Sequence, residues 1–250
     1  MSLPLREVVS VDIPAPVDDV WRHLREPQLI RRWFGWDYDG LDAEIREIFV
    51  DDVHEESDEA DGTRTRTLVW RNHDRLVVTS RDDEPERTTV TVLRHADGGL
   101  PTFESAFDEL DEGWTQFVQQ LAFALRVHPG EDRVSLQAHG LDAGDRREPL
   151  LFRAGLHGVR GLPVGAHVEG TRPDGSRVGG TLVYKTEHQV GIHLHGIAES
   201  LLVLVIRPAG ERPPHGTVDA TLSTYGLDQD LLDESRRRWA GWWGVRTPAV

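Results

Sequence analysis

The stretch Phe107-Asp-Glu-Leu-Asp-Glu-Gly-Trp-Thr-Gln-Phe-Val-Gln-Gln-Leu-Ala-Phe-Ala-Leu-Arg-Val127 places Phe107, Leu110, Trp114, Phe117, Leu121 and Leu125 at spacings of three and four. That spacing lays one aromatic and aliphatic stripe along a single side of a helix, which needs an apolar surface to cover. A second segment, Leu227 to Trp243, repeats the plan with Leu227, Leu231, Trp239 and Trp242. Ser235 interrupts this second stripe, and Arg236, Arg237 and Arg238 are expected to turn toward solvent. Each helical segment closes a set of short alternating strands, so the chain reads as one fold used twice. A long helix against a curved antiparallel sheet leaves a cavity between the two, and large aromatic walls suit an apolar guest.

Outward from the first helix, Arg6 to Ile13 alternates Val9, Val11 and Ile13 on one face and predicts a half-buried strand ended by Pro14 and Pro16. Asp18 and Asp19 favour a helix start, and Val17, Val20, Trp21 and Leu24 give it an apolar side over about 17–25. Pro27 opens a further short helix carrying Leu29, Ile30, Trp33 and Phe34, which Gly35 can end. Leu41 to Val53 reads as helix by its spacing, and the acidic Glu55 to Gly62, with no large apolar residue, as an exposed loop. Thr63 to Trp70, Arg75 to Ser80 and Thr88 to Arg94 read as antiparallel strands joined by turn chemistry.

His128-Pro129-Gly130 is a stop signal and marks the boundary between modules 1–128 and 129–250. The second half then repeats the order: a strand Arg133 to Ala138, a helix Pro149 to Val159, and strands Val164 to Glu169 and Arg177 to Tyr184 around the turn Pro173-Asp174-Gly175. Strands Val190 to His195, Leu201 to Arg207 and Thr217 to Ser223 complete a meander.

The 250 residues carry a formal charge of −15, which argues against a nucleic-acid or anionic membrane partner, since both select for Lys and Arg. Residues 1–128 hold 28 Asp and Glu against 14 Lys and Arg, a net −14, and residues 129–250 hold 15 against 14, a net −1. This acidity serves solubility, and its other use is to attract a basic protein partner to the first module. The absence of cysteine excludes disulfides, thiolate metal sites and a cysteine nucleophile. Met1 to Glu7 has no signal pattern, and the longest aliphatic run, Leu201 to Ile206, falls far below the ~20 residues that span a bilayer, so a cytoplasmic location is expected without membrane insertion.

Few residues offer chemistry. His193 and His195 share a strand face, with His188 just upstream, but no Asp or Glu lies in that strand and two imidazoles are an incomplete zinc set, so no metal is expected. His73-Asp74 and Glu187-His188 are adjacent pairs that could act as acid and base only within turns, and His73-Asp74 reads better as a turn former. Lys185 is the sole lysine available for Schiff-base chemistry. No nucleophile elbow, phosphate loop or dinucleotide fingerprint is present. No catalytic residue and no cofactor are therefore assigned. The aromatics remain, and Trp33, Phe34, Trp36, Trp70, Trp114, Phe117, Leu121, Tyr184, Trp239 and Trp242 are the candidate ligand-binding residues.

The run Val9-Ser-Val-Asp-Ile-Pro-Ala-Pro-Val-Asp-Asp-Val-Trp21, followed by Pro27-Gln-Leu-Ile-Arg-Arg-Trp-Phe34, resembles the SRPBCC superfamily, in the branch named after the activator of Hsp90 ATPase. Leu68-Val-Trp70 and Asp111-Glu-Gly-Trp114 are similar to that branch's tryptophan positions. The resemblance covers about residues 5–128 and departs between Gly40 and Gly62, where a glycine-rich strand pair gives way to an acidic stretch. It implies an α+β helix-grip, or START-like, fold in two tandem modules, with a small hydrophobic or aromatic molecule held between sheet and helix. A polyketide cyclase or aromatase is the enzymatic alternative that the resemblance implies, and a chaperone-cofactor-like interaction module is the third.

Overall fold

The computed structural model describes residues 4–95, 107–172, 175–196 and 198–243. The chain divides into two compact units, Met1–Arg133 and Val134–Val250. In the N-terminal unit, β1 (Leu5–Ile13) leads through α1 (Val17–Arg25), α2 (Pro27–Ile30) and α3 (Leu41–Arg46) into one wide helical turn, Glu47–Asp51. Strands β2 (Val53–Ala60), β3 (Thr63–Trp70), β4 (Arg75–Arg81) and β5 (Thr88–His95) follow, and α4 (Glu109–Val127) closes the unit. The sheet order is β1-β5-β4-β3-β2, so the first strand pairs with the last of the meander. Register places Val9 opposite Val92, Val11 opposite Val90, and Leu76 and Val78 opposite Val92 and Val90, which gathers the apolar residues on one face. The buried residues of α4 include Val118, Leu121, Ala122 and Leu125.

The C-terminal unit has the same order. Strand β6 (Arg133–Asp142) is followed by α5 (Leu150–Arg153), a 3-10 turn at Val159–Gly161, and strands β7 (His167–Thr171), β8 (Arg177–Lys185), β9 (Gln189–Leu194), β10 (Ser200–Arg207) and β11 (Thr217–Tyr225). Helix α6 (Gln229–Trp243) ends it, and the sheet runs β6-β11-β10-β9-β8-β7. Leu182, Ile192, Leu202 and Leu222 lie side by side across four strands and pack in one cluster with Trp239, Trp242 and Trp243. Each unit is therefore α+β, an antiparallel sheet covered by its C-terminal helix in the helix-grip arrangement. Among the described residues, no helix is long and apolar enough to cross a membrane.

Several expectations need correction. Glu55 to Gly62 is no loop: Val53–Ala60 is an edge strand paired along its length with β3. Its acidic side chains stay exposed, and cross-strand positions set Glu59 opposite Arg64, so opposite charge replaces apolar burial as the local reward for pairing. The helix expected over Pro149 to Val159 stops at Arg153. Gly155 takes φ +76°, and a Cβ there would approach the Thr171 carbonyl oxygen to 2.2 Å, so the chain must turn at that glycine. Leu110 and Leu231 sit on the first turns of α4 and α6 with 61% and 42% exposure, outside the buried stripes. The strand expected from Val164 begins only at His167, and the turn residues Pro173 and Asp174 lie outside the described residues.

The start of α4 is fixed by charge. Asp108 is its N-cap, accepting from the N–H groups of Leu110 (2.9 Å) and Asp111 (3.0 Å). Arg94, 6% exposed on β5, donates to Asp108 (3.1 Å), to Asp74 (3.2 Å) and to Asp111, and Asp111 also accepts from Arg6. Burial pushes the Asp108 carboxyl up, but the Asp111 N–H and the Arg94 charge outweigh it and hold the group below the usual carboxylate range.

A depressed folded-state pKa supports stability above the unfolded value, near 3.9, and that support is lost as pH falls through the folded value. Asp108→Ala should thus lower stability in urea by about 1–2 kcal/mol at pH 7 and by less at pH 2. An equal loss at both pH values would show that the carboxylate's charge contributes nothing.

The segment Pro129 to Asp132 is exposed between α4 and β6. Limited proteolysis should nick it before any bond in 55–62, because pairing with β3 protects the latter. First cleavage inside β2 would contradict the strand.

Candidate ligand-binding site

The first group of sequence candidates comes together in the N-terminal unit. Phe34 packs on Phe117 with ring centroids 4.7 Å apart, and Trp70 lies 5.1 Å from Trp114. Trp33 meets Phe34 edge-on at 5.8 Å. Trp33 and Leu121 have no exposed surface and Phe34 almost none, whereas Trp36, Trp70, Trp114 and Phe117 are half-buried. Phe49, absent from the candidate set, is the hub: it touches Phe34 (5.0 Å), Trp33 (5.6 Å), Trp114 (6.3 Å) and Trp70 (6.4 Å). Its signal was its place four residues after Ile45 on the helical repeat. The rings meet mostly edge to face, the geometry of a packed aromatic cluster.

Polar atoms hold that cluster in register. Trp70 Nε1 donates to the Ile48 carbonyl (2.7 Å) and Trp33 Nε1 to the His23 carbonyl (2.8 Å). Gln120, buried on α4, donates to the carbonyls of Trp33 and Gly35, and Arg133 donates to those of Trp33 (2.8 Å) and Phe34 (2.6 Å). The carbonyls that end the Pro27 helical piece are thereby satisfied.

In the C-terminal unit, the described residues line a cavity of about 290 Å³. Its apolar wall is Val178, Leu194, Leu222, Leu227, Trp239 and Trp242, and its polar residues are Ser200, Thr224, Ser235, Arg172 and Arg238. Arg177 borders it, but its side chain alternates with that of Val178 and is exposed on the other face of β8. Ser235, Arg238, Trp239 and Trp242 fall at i, i+3, i+4 and i+7 on α6, so they share one side of the helix. Arg238 therefore does not turn fully to solvent as expected, although Arg236 and Arg237 do. Ser235, read as a break in the stripe, faces the cavity.

Each guanidinium is positioned. Arg172 lies over the Trp242 ring at 4.6 Å, Arg177 pairs with Glu169 (2.6 Å), and Arg238 pairs with Glu234 (2.6 Å). Trp242 Nε1 donates to the Ala154 carbonyl (2.8 Å) and the ring stacks on Trp243 at 5.0 Å, which fixes the cavity wall. The Glu234 carboxyl is held below its ordinary range by hydrogen bonds from Arg237 and Arg238. Tyr184 lies elsewhere: it is buried against Gly191, and its hydroxyl donates to Gln189 (2.9 Å).

The other chemical candidates resolve into turns and one cluster. His73 takes φ +65° in the β3–β4 turn, and Asp74 is engaged by Arg94, the His95 N–H and Asn72. Lys185 donates to the carbonyls of Arg160 (3.1 Å) and Leu162 (2.6 Å). His193 and His195 have ring centroids 4.4 Å apart, and the third group that their strand lacks is supplied by Glu199 from the following turn.

Solved structures similar to this chain include two di-domain proteins. The di-domain ARO/CYC StfQ from the steffimycin biosynthetic pathway is 12% identical, covering 92% of this chain and 90% of its own, with a TM-score of 0.28. The di-domain ARO/CYC BexL from the BE-7585A biosynthetic pathway is 12% identical, covering 99% and 100%, with a TM-score of 0.29. Likeness at this level assigns neither activity nor ligand. No family model matches the sequence, and no curated protein matches it significantly.

Phe49→Ala should cost about 3–5 kcal/mol of unfolding free energy, the range for a buried aromatic that leaves a void. A loss under 1 kcal/mol in chemical denaturation would mean that the cluster collapses around the gap.

Proposed function

We propose that the C-terminal unit binds a compact aromatic molecule carrying a carboxylate, phenolate or enolate oxygen. The observation that carries this reading is the joint lining of one cavity by Trp239 and Trp242 and by Arg172 and Arg238. A volume of about 290 Å³ equals roughly ten waters of liquid and lies at the small end of ligand sites, so one or two fused rings fit it. The indoles supply apolar area, and the guanidinium groups recognise a planar anion through paired donors. Arg238 already holds Glu234 and Arg172 lies over the Trp242 ring, which keeps both oriented while leaving further donors on each fork.

The test is a pair of near-isosteric probes, 1-naphthoate and neutral 1-naphthamide, titrated against tryptophan emission. Naphthoate should bind about tenfold more tightly, the factor that one charge-assisted hydrogen bond supplies. Arg238→Gln should erase the preference, and Trp239→Leu should weaken both probes. Equal affinity for the two probes in the unaltered protein would sink the proposal.

The same lining supports a second reading, an enzyme of the polyketide cyclase or aromatase kind. Guanidinium and hydroxyl donors around an apolar chamber stabilise an enolate oxygen as its charge develops during ring closure. Incubation with a short poly-β-keto thioester distinguishes the readings: an enzyme releases a cyclised aromatic product faster than buffer does, and a binding protein returns the substrate unchanged.

A further inference from the structure

We infer that His193, His195 and Glu199 form a binding site for a divalent transition metal ion, with zinc as its natural occupant. One ligand atom from each residue lies within 4.8 Å of the others. His193 Nε2 is 3.3 Å from Glu199 Oε1, and His195 Nδ1 is 3.8 Å from the same oxygen. Four ligands at about 2.0–2.1 Å around tetrahedral zinc are separated by about 3.3–3.5 Å, so the three groups need only draw in by tenths of an ångström to an ångström or so. Two imidazoles and one carboxylate form a three-ligand set that leaves a fourth position for water.

Three features of the local structure present these atoms together. Alternation along β9 turns His193 to the face opposite the cavity-lining Leu194, so the cluster is distinct from the ligand cavity. His195 Nε2 is 2.9 Å from Thr181 Oγ1, on the neighbouring strand β8. That contact orients the ring, and in the tautomer whose Nε2–H donates to the hydroxyl, Nδ1 on the Glu199 side carries the lone pair a metal needs, as when an outer hydrogen bond sets the tautomer of a metal-binding histidine. Ala198, the residue before Glu199, takes φ +125°, a backbone state that glycine favours, so strain is stored at the turn that returns the carboxylate toward the histidines. The bland alternative is an imidazole–carboxylate ion pair that never takes a metal.

Tag-free full-length protein, stripped with chelator and titrated with zinc chloride alone, decides between them. The expected result is one zinc per chain with a Kd below about 10 μM and a melting temperature raised by about 2–5 °C in excess zinc. Glu199 is 54% exposed at its side chain, so Glu199→Gln should preserve folding and still weaken zinc at least tenfold. His193→Ala should do the same, and Thr181→Ala, which removes only the orienting contact, should weaken zinc about tenfold. Binding weaker than 100 μM, or one equivalent retained with unchanged affinity by both Glu199→Gln and His195→Ala, would overturn the site and leave an ion pair only.

Discussion

A guanidinium on the inner face of a sheet must be neutralised where it stands, and Arg94 imposes that demand on the N-terminal unit. Its partners Asp108 and Asp111 belong to the start of α4, and Asp74 to the β3–β4 turn. The charge therefore decides where the long helix begins and which end of the sheet it crosses. Asp108 serves twice, as ion partner and as helix cap, so losing it would strand two backbone donors and leave the buried cation with Asp74 and Asp111 alone of its three carboxylates. The C-terminal unit solves the capping half of this problem in the same way: Asp228 Oδ1 accepts from the Leu231 N–H at 2.9 Å ahead of α6.

The two units then diverge in how they fill the space under the helix. In the first, Phe34, Phe49, Trp114 and Phe117 interdigitate. In the second, three tryptophans gather at the end of α6, while Gly179, Gly196, Ala198, Ser200 and Ser235 face the space ahead of them. Small side chains cannot bring a cavity to interior packing density, and the cavity survives for that reason. Among the described residues, one architecture thus carries an aromatic cluster in one unit and a chamber in the other, and side-chain volume contributes to the difference.

Most of the framework was legible in the sequence, because alternation and three-four spacing report which face is buried. Where burial does not drive the structure, that signal fails. Val53–Ala60 pairs through its backbone and displays acids to solvent, so its composition looked like a loop. Arg238 and Ser235 are polar, and a stripe defined by apolar residues passed over both, although their spacing from Trp242 was available all along. Glu199 was out of reach for a different reason: it lies outside the strand, and the turn that brings it back to His193 includes the positive φ of Ala198, which composition does not announce. Phe49 was visible as an apolar position, but its place among the rings of Trp33, Phe34, Trp70 and Trp114 depends on contacts between segments far apart in the chain.

The acidic strand β2 also bears on how copies of this molecule behave toward one another. An outermost strand offers unused backbone donors and acceptors to any chain that can align with it. Two copies of β2 meeting antiparallel would bring Glu55, Glu56, Asp58 and Glu59 of one against the same residues of the other, and like charges directly opposite are unfavourable. The fence is electrical, so it weakens as salt shortens the reach of charge. The guard on this edge is thus a matter of the ionic medium as much as of shape.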